Sequence, residues 1–329
     1  MKLNRRSALG LGTVATATAV LGANATQASA EPTDPAQRVA RMYNRAVANA
    51  QGVWSSFVTV GGATAVEVNA DAVVEAYSVN KLGVAVAVLD KIDRGLLTLD
   101  QRVELTAAIV IQDIDGIFAL DRAYPSSITL GHVMSNLLTL SDNTCVRLCG
   151  LVCPALELNE ILRNKGFVHT QVVPVANPNR FFLGKTTPRE THTLLSRLVA
   201  GELLSATSTD YLLNVIRSTS AFNDGIRLNL STPERLRVAT KAGWFNDGRN
   251  EAGIVFTEDG RPGAVYSLFA RGPFAGDAAV NDADFGAPHP AMRARQALGR
   301  TLVDVVDATP APTGTRVHYI PKIQHSNGG

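Results

Sequence analysis

Residues 76–95 read AYSVNKLGVAVAVLDKIDRG, a stretch in which a β-rich segment gives way to a helical one. From Asn80 to Gly95, apolar residues occupy nearly every side of a 3.6-residue repeat, as in a helix buried at the centre of a domain. Ser78 lies at the start of this helix, and Lys81 follows three residues later on the same face. The stretch predicts a central helix that presents a hydroxyl and an amine side by side.

Helical and β-rich segments occur at both ends of the chain. A helical pattern covers residues 35–50, and two β-rich runs follow at 53–60 and 63–68, joined by Gly61-Gly62 as in a hairpin. Near the other end, three β-rich runs and a last helix are predicted at residues 237–245, 253–256, 264–270 and 290–306. An antiparallel sheet of about five strands, built from both ends and flanked by terminal helices, would bury all of them.

The middle third keeps helical periodicity and is predicted to be an inserted, all-helical lobe, which makes the fold class α/β (α+β). The sheet lobe would comprise residues 35–76 and 211–309, and the helical lobe residues 77–210. Residues 310–329 are predicted to form a flexible tail. A cleft between the two lobes is the expected binding site.

The first thirty residues have the composition of a signal peptide. Arg5-Arg6 forms part of a basic start that resembles a twin-arginine signal, and Ala28-Ser29-Ala30 fits a cleavage site. Removing three positive charges and no negative ones changes the formal net charge from +2 to −1. We therefore expect a secreted or extracytoplasmic chain from Glu31 onward, with no stable membrane insertion and no charge pattern for nucleic acid.

Cysteine and histidine residues give no metal or cofactor pattern, and neither a metal nor a cofactor is predicted. Cys145, Cys149 and Cys153 lie four residues apart on one predicted helix face. A zinc site or a redox switch would need further partners, so buried apolar packing is the preferred interpretation. The six histidines show no ligand spacing.

Three short motifs carry the candidate chemistry. Ser78 and Lys81 form an S-x-x-K pattern, in which a partly desolvated lysine can activate the serine, although the same pattern can be a helix cap beside a surface lysine. Ser141-Asp142-Asn143 supplies a hydroxyl for proton transfer and an amide for contacts, or else caps a helix.

The third motif, Lys241-Ala242-Gly243, lies in a predicted strand. Lys241 would offer a positive charge to an anionic substrate group and help to keep Lys81 neutral. Gly243 would let substrate approach the backbone, and the amide of Trp244 could join that of Ser78 in an oxyanion hole.

Taken together and in this order, the motifs resemble those of the serine β-lactamase and penicillin-binding protein superfamily, specifically class A. The similarity covers about residues 39–306 and includes VLDKIDRGLLTLDQRVEL, TLSDNT and LLSRLVAGELLS. It implies a β-lactamase/transpeptidase-like fold in which Ser78 is acylated, Lys81 is the base or relay and Ser141 donates a proton to the leaving group. By the same resemblance, Asn143 and Lys241 contact the substrate.

Two departures from that family bear on activity. The loop that carries the deacylating glutamate in class A enzymes should lie within residues 172–187, which contain no Asp or Glu. Glu157 is interpreted as a superficial match on a helix, and Glu190 as an acidic residue in the first turn of another. Ala242 replaces the usual Thr or Ser, whose hydroxyl binds a substrate carboxylate.

These features leave three hypotheses. The first is an exported β-lactamase-like serine hydrolase that forms an acyl-enzyme with an amide, lactam or ester and deacylates atypically. The second is a D,D-peptidase or transacylase, and the third is a β-lactam-binding or sensing protein with little turnover. The expected partner is a small-molecule substrate, and the expected state is a monomer.

Overall fold

The computed structural model describes residues 34–112 and 116–323. The predicted signal peptide, residues 1–30, lies outside the described residues. Eleven α-helices occur within the described ranges: α1 Pro35–Ala50, α2 Lys81–Asp93, α3 Ile117–Asp121, α4 Leu130–Thr139, α5 Asn143–Val152, α6 Ala155–Asn164, α7 Pro188–Ala200, α8 Ala206–Arg217, α9 Thr232–Arg235, α10 Ala278–Ala283 and α11 Pro290–Asp307.

The main sheet has five antiparallel strands in the order β2-β1-β10-β9-β8. Their bounds are β1 Gln51–Val60, β2 Ala63–Val68, β8 Val238–Phe245, β9 Gly248–Phe256 and β10 Pro262–Phe274. Strand β1 therefore pairs with β10 across more than 200 residues of chain, as in the pair Phe57 and Ser267, and joins the first two strands to the last three. This arrangement confirms the predicted sheet built from both ends of the sequence.

Each face of the sheet contributes to a separate apolar core. One core lies between the sheet and the helices α1 and α11, and includes Val39, Val58 and Leu302. The other surrounds α2, whose residues Leu82–Leu89 are all buried, and continues through α4 to α8. Burial on every side explains why α2 is apolar on every side, and it fixes the end of the helix that bears Ser78.

Two small sheets interrupt the region that was predicted to be all-helical, so that prediction is wrong in this detail. Their strands are β3 Val74–Glu75, β4 Arg102–Leu105, β5 Ser126–Thr129, β6 Gln171–Pro174 and β7 Phe181–Thr186. The strand orders are β3-β7-β6 and β4-β5. The segment expected to be a loop at residues 172–187 is therefore mostly an antiparallel hairpin.

The predicted flexible tail, residues 310–329, contacts the domain through His318, and its described part ends at residue 323. His318 is buried, with its Nε2 3.0 Å from the carbonyl oxygen of Val199 and its ring centroid 5.8 Å from that of Phe256. Its backbone amide donates to the carbonyl of Gly260. The segment thus connects the end of α7 with the β9–β10 turn.

The three cysteines are buried and free, which agrees with the apolar interpretation. Burial raises the pKa of all three thiols, to about 12 for Cys153. A thiol that keeps its proton is a poor nucleophile and a poor metal ligand. The described residues contain no group of three or more His, Cys, Asp or Glu side chains placed to hold a metal ion.

Candidate active site

Ser78 lies in a short 3-10 turn, Tyr77–Asn80, which leads directly into α2. Tyr77 has a positive φ of 48°, a left-handed conformation that non-glycine residues rarely adopt. Its ring fills the space that a side chain at Gly248 would occupy. Strand β9 thus holds the residue before Ser78 in a strained conformation, a feature common at functional sites.

Strand β8 contacts the same turn through Gly243. A Cβ atom at this position would lie 2.6 Å from the amide nitrogen of Ser78 and 2.7 Å from that of Val79. β8 is an edge strand of the main sheet, so one side of it is open to the turn. A glycine is needed here because the backbone of β8 lies against the backbone of the turn that carries Ser78. The prediction was instead that Gly243 lets the substrate approach the backbone.

Two lysines meet at the hydroxyl of Ser141. Lys81 Nζ and Lys241 Nζ each lie 3.0 Å from Ser141 Oγ. Lys81 also donates to Asn143 Oδ1 at 2.9 Å and to the carbonyl of Ser141. Ser141 itself has a positive φ of 61°, a left-handed backbone conformation that non-glycine residues rarely adopt. The structure therefore brings four of the predicted residues into one hydrogen-bonded cluster.

Both lysines of this cluster are buried, with exposed fractions of 0% for Lys81 and 3% for Lys241. Burial, and then the charge of Lys81, holds the pKa of Lys241 well below its usual range. Lys241 also donates to the carbonyl oxygen of Ala242 at 2.8 Å. The amine of Lys241 therefore lies beneath Ser141, and its expected role of offering a positive charge to a substrate stays a prediction.

Asp142, the middle residue of its motif, has a structural role. Its buried carboxylate caps α5 by accepting from the amide of Thr144 at 2.7 Å, and it also accepts from the amide of Phe118. The cap fixes the first turn of α5 and so the position of Asn143. The motif therefore combines both predicted structural roles: Asp142 caps the helix, while Ser141 and Asn143 bond with Lys81.

An open pocket of about 690 Å³ lies at this cluster. Eleven described residues line it: Glu75, Tyr77, Ser78, Ser141, Asn143, Phe182, Leu183, Gly184, Trp244, Phe245 and Phe285. Ser78 and Ser141 share the pocket, while Lys81 and Lys241 lie beneath its surface. Trp244 lines one wall, with its ring centroid 5.6 Å from that of Phe222 and 6.1 Å from that of Phe285.

Glu157, interpreted as a superficial match, and Glu190, interpreted as an acidic residue of a first helical turn, do not line the pocket. Glu157 forms an ion pair of 2.7 Å with Lys91. Glu190 accepts hydrogen bonds from the backbone amides of Val168, His169 and Thr170. Burial opposes ionisation of Glu190, but the bonds from Thr170 and His169 outweigh it and lower its pKa. Both carboxylates therefore make structural contacts away from the pocket.

Asn80 was not predicted to belong to the site. Its buried side chain donates to the carbonyls of Leu183 and Lys185 at 2.7 and 3.0 Å, which ties β7 to the start of α2. Phe182, Phe245 and Phe285 were missed as well. Phe182 and Phe245 are 70% and 61% exposed. Their nearness in sequence to segments already singled out, residues 172–187 and Trp244, is the signal that could have found these two, whereas Phe285 has no such signal.

Ala242 is completely buried and does not line the pocket. The described lining therefore contains no hydroxyl at this position and no lysine or arginine. Whether the amides of Ser78 and Trp244 act together on a substrate carbonyl stays a prediction, although both residues border the same pocket.

An antiparallel sheet beside a largely helical region, with serine and lysine side chains meeting at the pocket between them, is the arrangement of β-lactamase-like serine hydrolases. The profile of the Beta-lactamase enzyme family matches residues 35–306, so the chain belongs to that family. No curated protein sequence matches the chain. In the described part of the chain, no helix is long and apolar enough to cross a membrane.

Solved structures share the fold at low sequence identity. A β-lactamase from Chitinophaga pinensis is 20% identical with a TM-score of 0.68, covering 82% of this chain and 99% of its own. One from Xanthomonas campestris pv. campestris is 19% identical with a TM-score of 0.68, covering 84% and 100%. PBP-A is 22% identical with a TM-score of 0.65, covering 83% and 95%.

Proposed function

We propose that the chain is an exported serine hydrolase that forms an acyl-enzyme on Ser78 with an amide, lactam or ester substrate. The observation that carries this proposal is the pair of 3.0 Å contacts from Lys81 and Lys241 to Ser141 Oγ. A hydroxyl has two acceptor lone pairs and one donor. With both lone pairs occupied by lysines, the proton of Ser141 is free to point into the pocket, where a leaving group would be.

The reaction then follows from these positions. In the form of the site in which Lys81 is the neutral amine, Ser78 Oγ attacks the substrate carbonyl and passes its proton to Lys81, which is in contact with Ser141. Ser141 gives its own proton to the leaving nitrogen or oxygen and is reprotonated by Lys81. One bond forms, from Ser78 Oγ to carbon, and one breaks, from carbon to the leaving group.

Deacylation is the atypical step. By the resemblance to class A enzymes, the hairpin β6–β7 would be the segment that carries the deacylating glutamate, and its residues 171–186 contain no Asp or Glu. Glu75 is the one acidic residue in the described lining, and its side chain is half exposed. Slow hydrolysis is therefore the expected outcome, and transfer of the acyl group to an amine or stable acylation are the alternatives. A PBP-A variant has been solved as its acyl-enzyme complex with penicillin G, which supports testing a penicillin first.

The test is intact-protein mass spectrometry over time with penicillin G, using protein recovered from the culture medium and a Ser78→Ala control. We expect a mass that corresponds to a chain starting at Glu31, and a Ser78-dependent adduct that decays slowly. Faster decay in the presence of a primary amine would favour the transacylase.

A persistent adduct would favour a binding or sensing protein. Absence of any Ser78-dependent adduct, with penicillin and with the simple esters described below, would contradict the proposal.

A further inference from the structure

Aromatic side chains dominate the wall of the pocket. Five of its eleven described lining residues are aromatic, although aromatic residues make up only 6% of the chain. Three of the five, Phe182, Phe245 and Phe285, are 70%, 61% and 39% exposed. Large exposed apolar surface around a pocket marks a binding site, because leaving it in water is unfavourable.

Four of the five lining rings, those of Tyr77, Trp244, Phe245 and Phe285, already contact a neighbouring aromatic ring. Trp244 lies between Phe222 and Phe285, with ring planes tilted by 38° and 35°. Tyr77 and Phe245 form a second pair, with centroids 6.0 Å apart. Rings that are held by neighbours lose little freedom when a ligand binds, so the wall is preorganised for an apolar group.

The charge of the pocket disfavours an anionic ligand. Glu75 is the one charged side chain in the described lining. Its Oε1 lies 3.9 Å from Nζ of Lys185, which does not line this pocket. Lys81 and Lys241 are buried and engaged with Ser141. A carboxylate on the substrate would therefore meet the carboxylate of Glu75 and no positively charged side chain in the described lining.

We propose that the site acts preferentially on neutral acyl donors whose acyl group is aromatic, and less efficiently on donors that carry a free carboxylate. This inference rests on the proposed function, since it concerns the group that is transferred to Ser78. With an aryl ester, Ser78 Oγ bonds to the acyl carbon while the carbon–oxygen bond to the leaving phenol breaks. Ser141 protonates the phenol oxygen, and water later releases the arylacetic acid.

Three chromogenic esters test the proposal: 4-nitrophenyl phenylacetate, its analogue with a 4-carboxylate on the acyl ring, and 4-nitrophenyl acetate. We expect kcat/KM for the phenylacetate to exceed that for each of the others by about tenfold or more, because aromatic contacts and a single like-charge interaction are each of that order. The rate of Ser78→Ala with each ester is subtracted, because it measures the uncatalysed and nonspecific hydrolysis.

Variants assign the preference to its residues. Trp244→Ala should reduce the ratio of phenylacetate to acetate by about tenfold. Glu75→Gln should raise kcat/KM for the carboxylate analogue severalfold relative to the phenylacetate. Tyr319→Ala, an exposed aromatic residue away from the pocket, is the matched control, and both ratios should stay unchanged in it.

The outcomes separate this inference from the proposed function. Ser78-dependent hydrolysis with equal or higher kcat/KM for the carboxylate analogue would overturn the inference and leave the acyl-enzyme mechanism intact. The inference would also be overturned if Trp244→Ala left the ratio of kcat/KM for phenylacetate to acetate unchanged and Glu75→Gln left the ratio for the carboxylate analogue to phenylacetate unchanged. No Ser78-dependent reaction with any ester or with penicillin would instead overturn the proposed function itself.

Discussion

Gly243 is the residue at which the main sheet and the catalytic turn come closest. An added Cβ would lie 2.6 Å from the amide nitrogen of Ser78, and a backbone atom cannot move aside as a side-chain tip can. We expect Gly243→Ala to displace the turn and to slow acylation of Ser78 by about a hundredfold, the order expected when reacting groups shift by about 1 Å. Adduct formation followed by mass spectrometry gives this rate directly.

Gly83 provides the matched control for that substitution. It lies inside α2, and a Cβ there would meet Leu162 and Thr170 at ordinary contact distances of 3.4 and 3.6 Å. Gly83→Ala should keep an acylation rate close to that of the parent protein. If Gly243→Ala acylated as fast as Gly83→Ala, the tight contact would not be what positions Ser78.

At the level of single residues, the sequence predicted the members of the hydrogen-bonded cluster at Ser141 but not the residues that surround this cluster. The motif residues Ser141, Asn143 and Lys241 could be named because each occurs in a short, ordered pattern. Asn80 and Phe285 could not, since an asparagine that holds a distant strand and an aromatic residue in a loop acquire their roles only from tertiary contacts. Tertiary contacts likewise place the amine of Lys241 beneath Ser141, a position that its motif alone does not predict.

Among the secondary-structure elements, the hairpin β6–β7 depends on two asparagines for its attachment. Asn80 donates to the backbone of β7 beside the pocket, while Asn159 on α6 exchanges two hydrogen bonds of 2.8 Å with Val172 of β6. Asn80→Ala leaves two carbonyls without this donor, which should lower the free energy of unfolding by about 1 to 3 kcal/mol. It should also slow acylation, because Leu183 is part of the pocket.

Asn159→Ala is the companion variant at the other strand of the hairpin. Its loss of stability should be similar, since Asn159 is also buried and bonded to backbone. Its acylation rate per folded molecule should remain that of the parent protein, because Asn159 and Val172 do not line the pocket. Urea unfolding and adduct formation measure the two effects. An equal loss of acylation rate in both variants would show that the hairpin responds as a whole.

The elements differ in how well their sequences predict them. The main sheet was predictable because β1, β2, β8, β9 and β10 combine β-rich residues with clear turn signals. The hairpin was not, because β6 has four residues and β7 six, and neither alternates cleanly between apolar and polar positions. Its conformation depends on pairing with β3 and on Gly184, whose φ is 72°.

For the whole molecule, two buried histidines predict loss of stability in mild acid. Burial, followed by nearby arginine, lowers the pKa of His192 and of His289 from 6.5 to about 4. The unfolded chain therefore binds protons between pH 6.5 and 4 that the folded protein does not. Stability is fully present above pH 6.5 and falls as the pH drops toward 4, by up to about 1.4 kcal/mol per pH unit for each histidine.

Urea unfolding at pH 7, 6 and 5 tests this dependence. His192→Gln should flatten the decline between pH 7 and pH 5, because glutamine does not titrate. His132→Gln, at an exposed position on α4, is the control and should keep the full decline. A decline that stayed equally steep in His192→Gln would show that this residue takes up no proton on unfolding.

The pairing of β1 with β10 has a consequence for when the protein becomes functional during synthesis. Residues 51–60 cannot complete their side of the sheet until residues 262–274 have left the ribosome. The pocket has the same requirement, because Ser78 belongs to the first third of the chain while Trp244 and Phe285 belong to the last. Long-range pairing of this kind folds slowly. A nascent chain released early would therefore carry its nucleophile without a pocket, and the complete site would form only after nearly all of the polypeptide had been made.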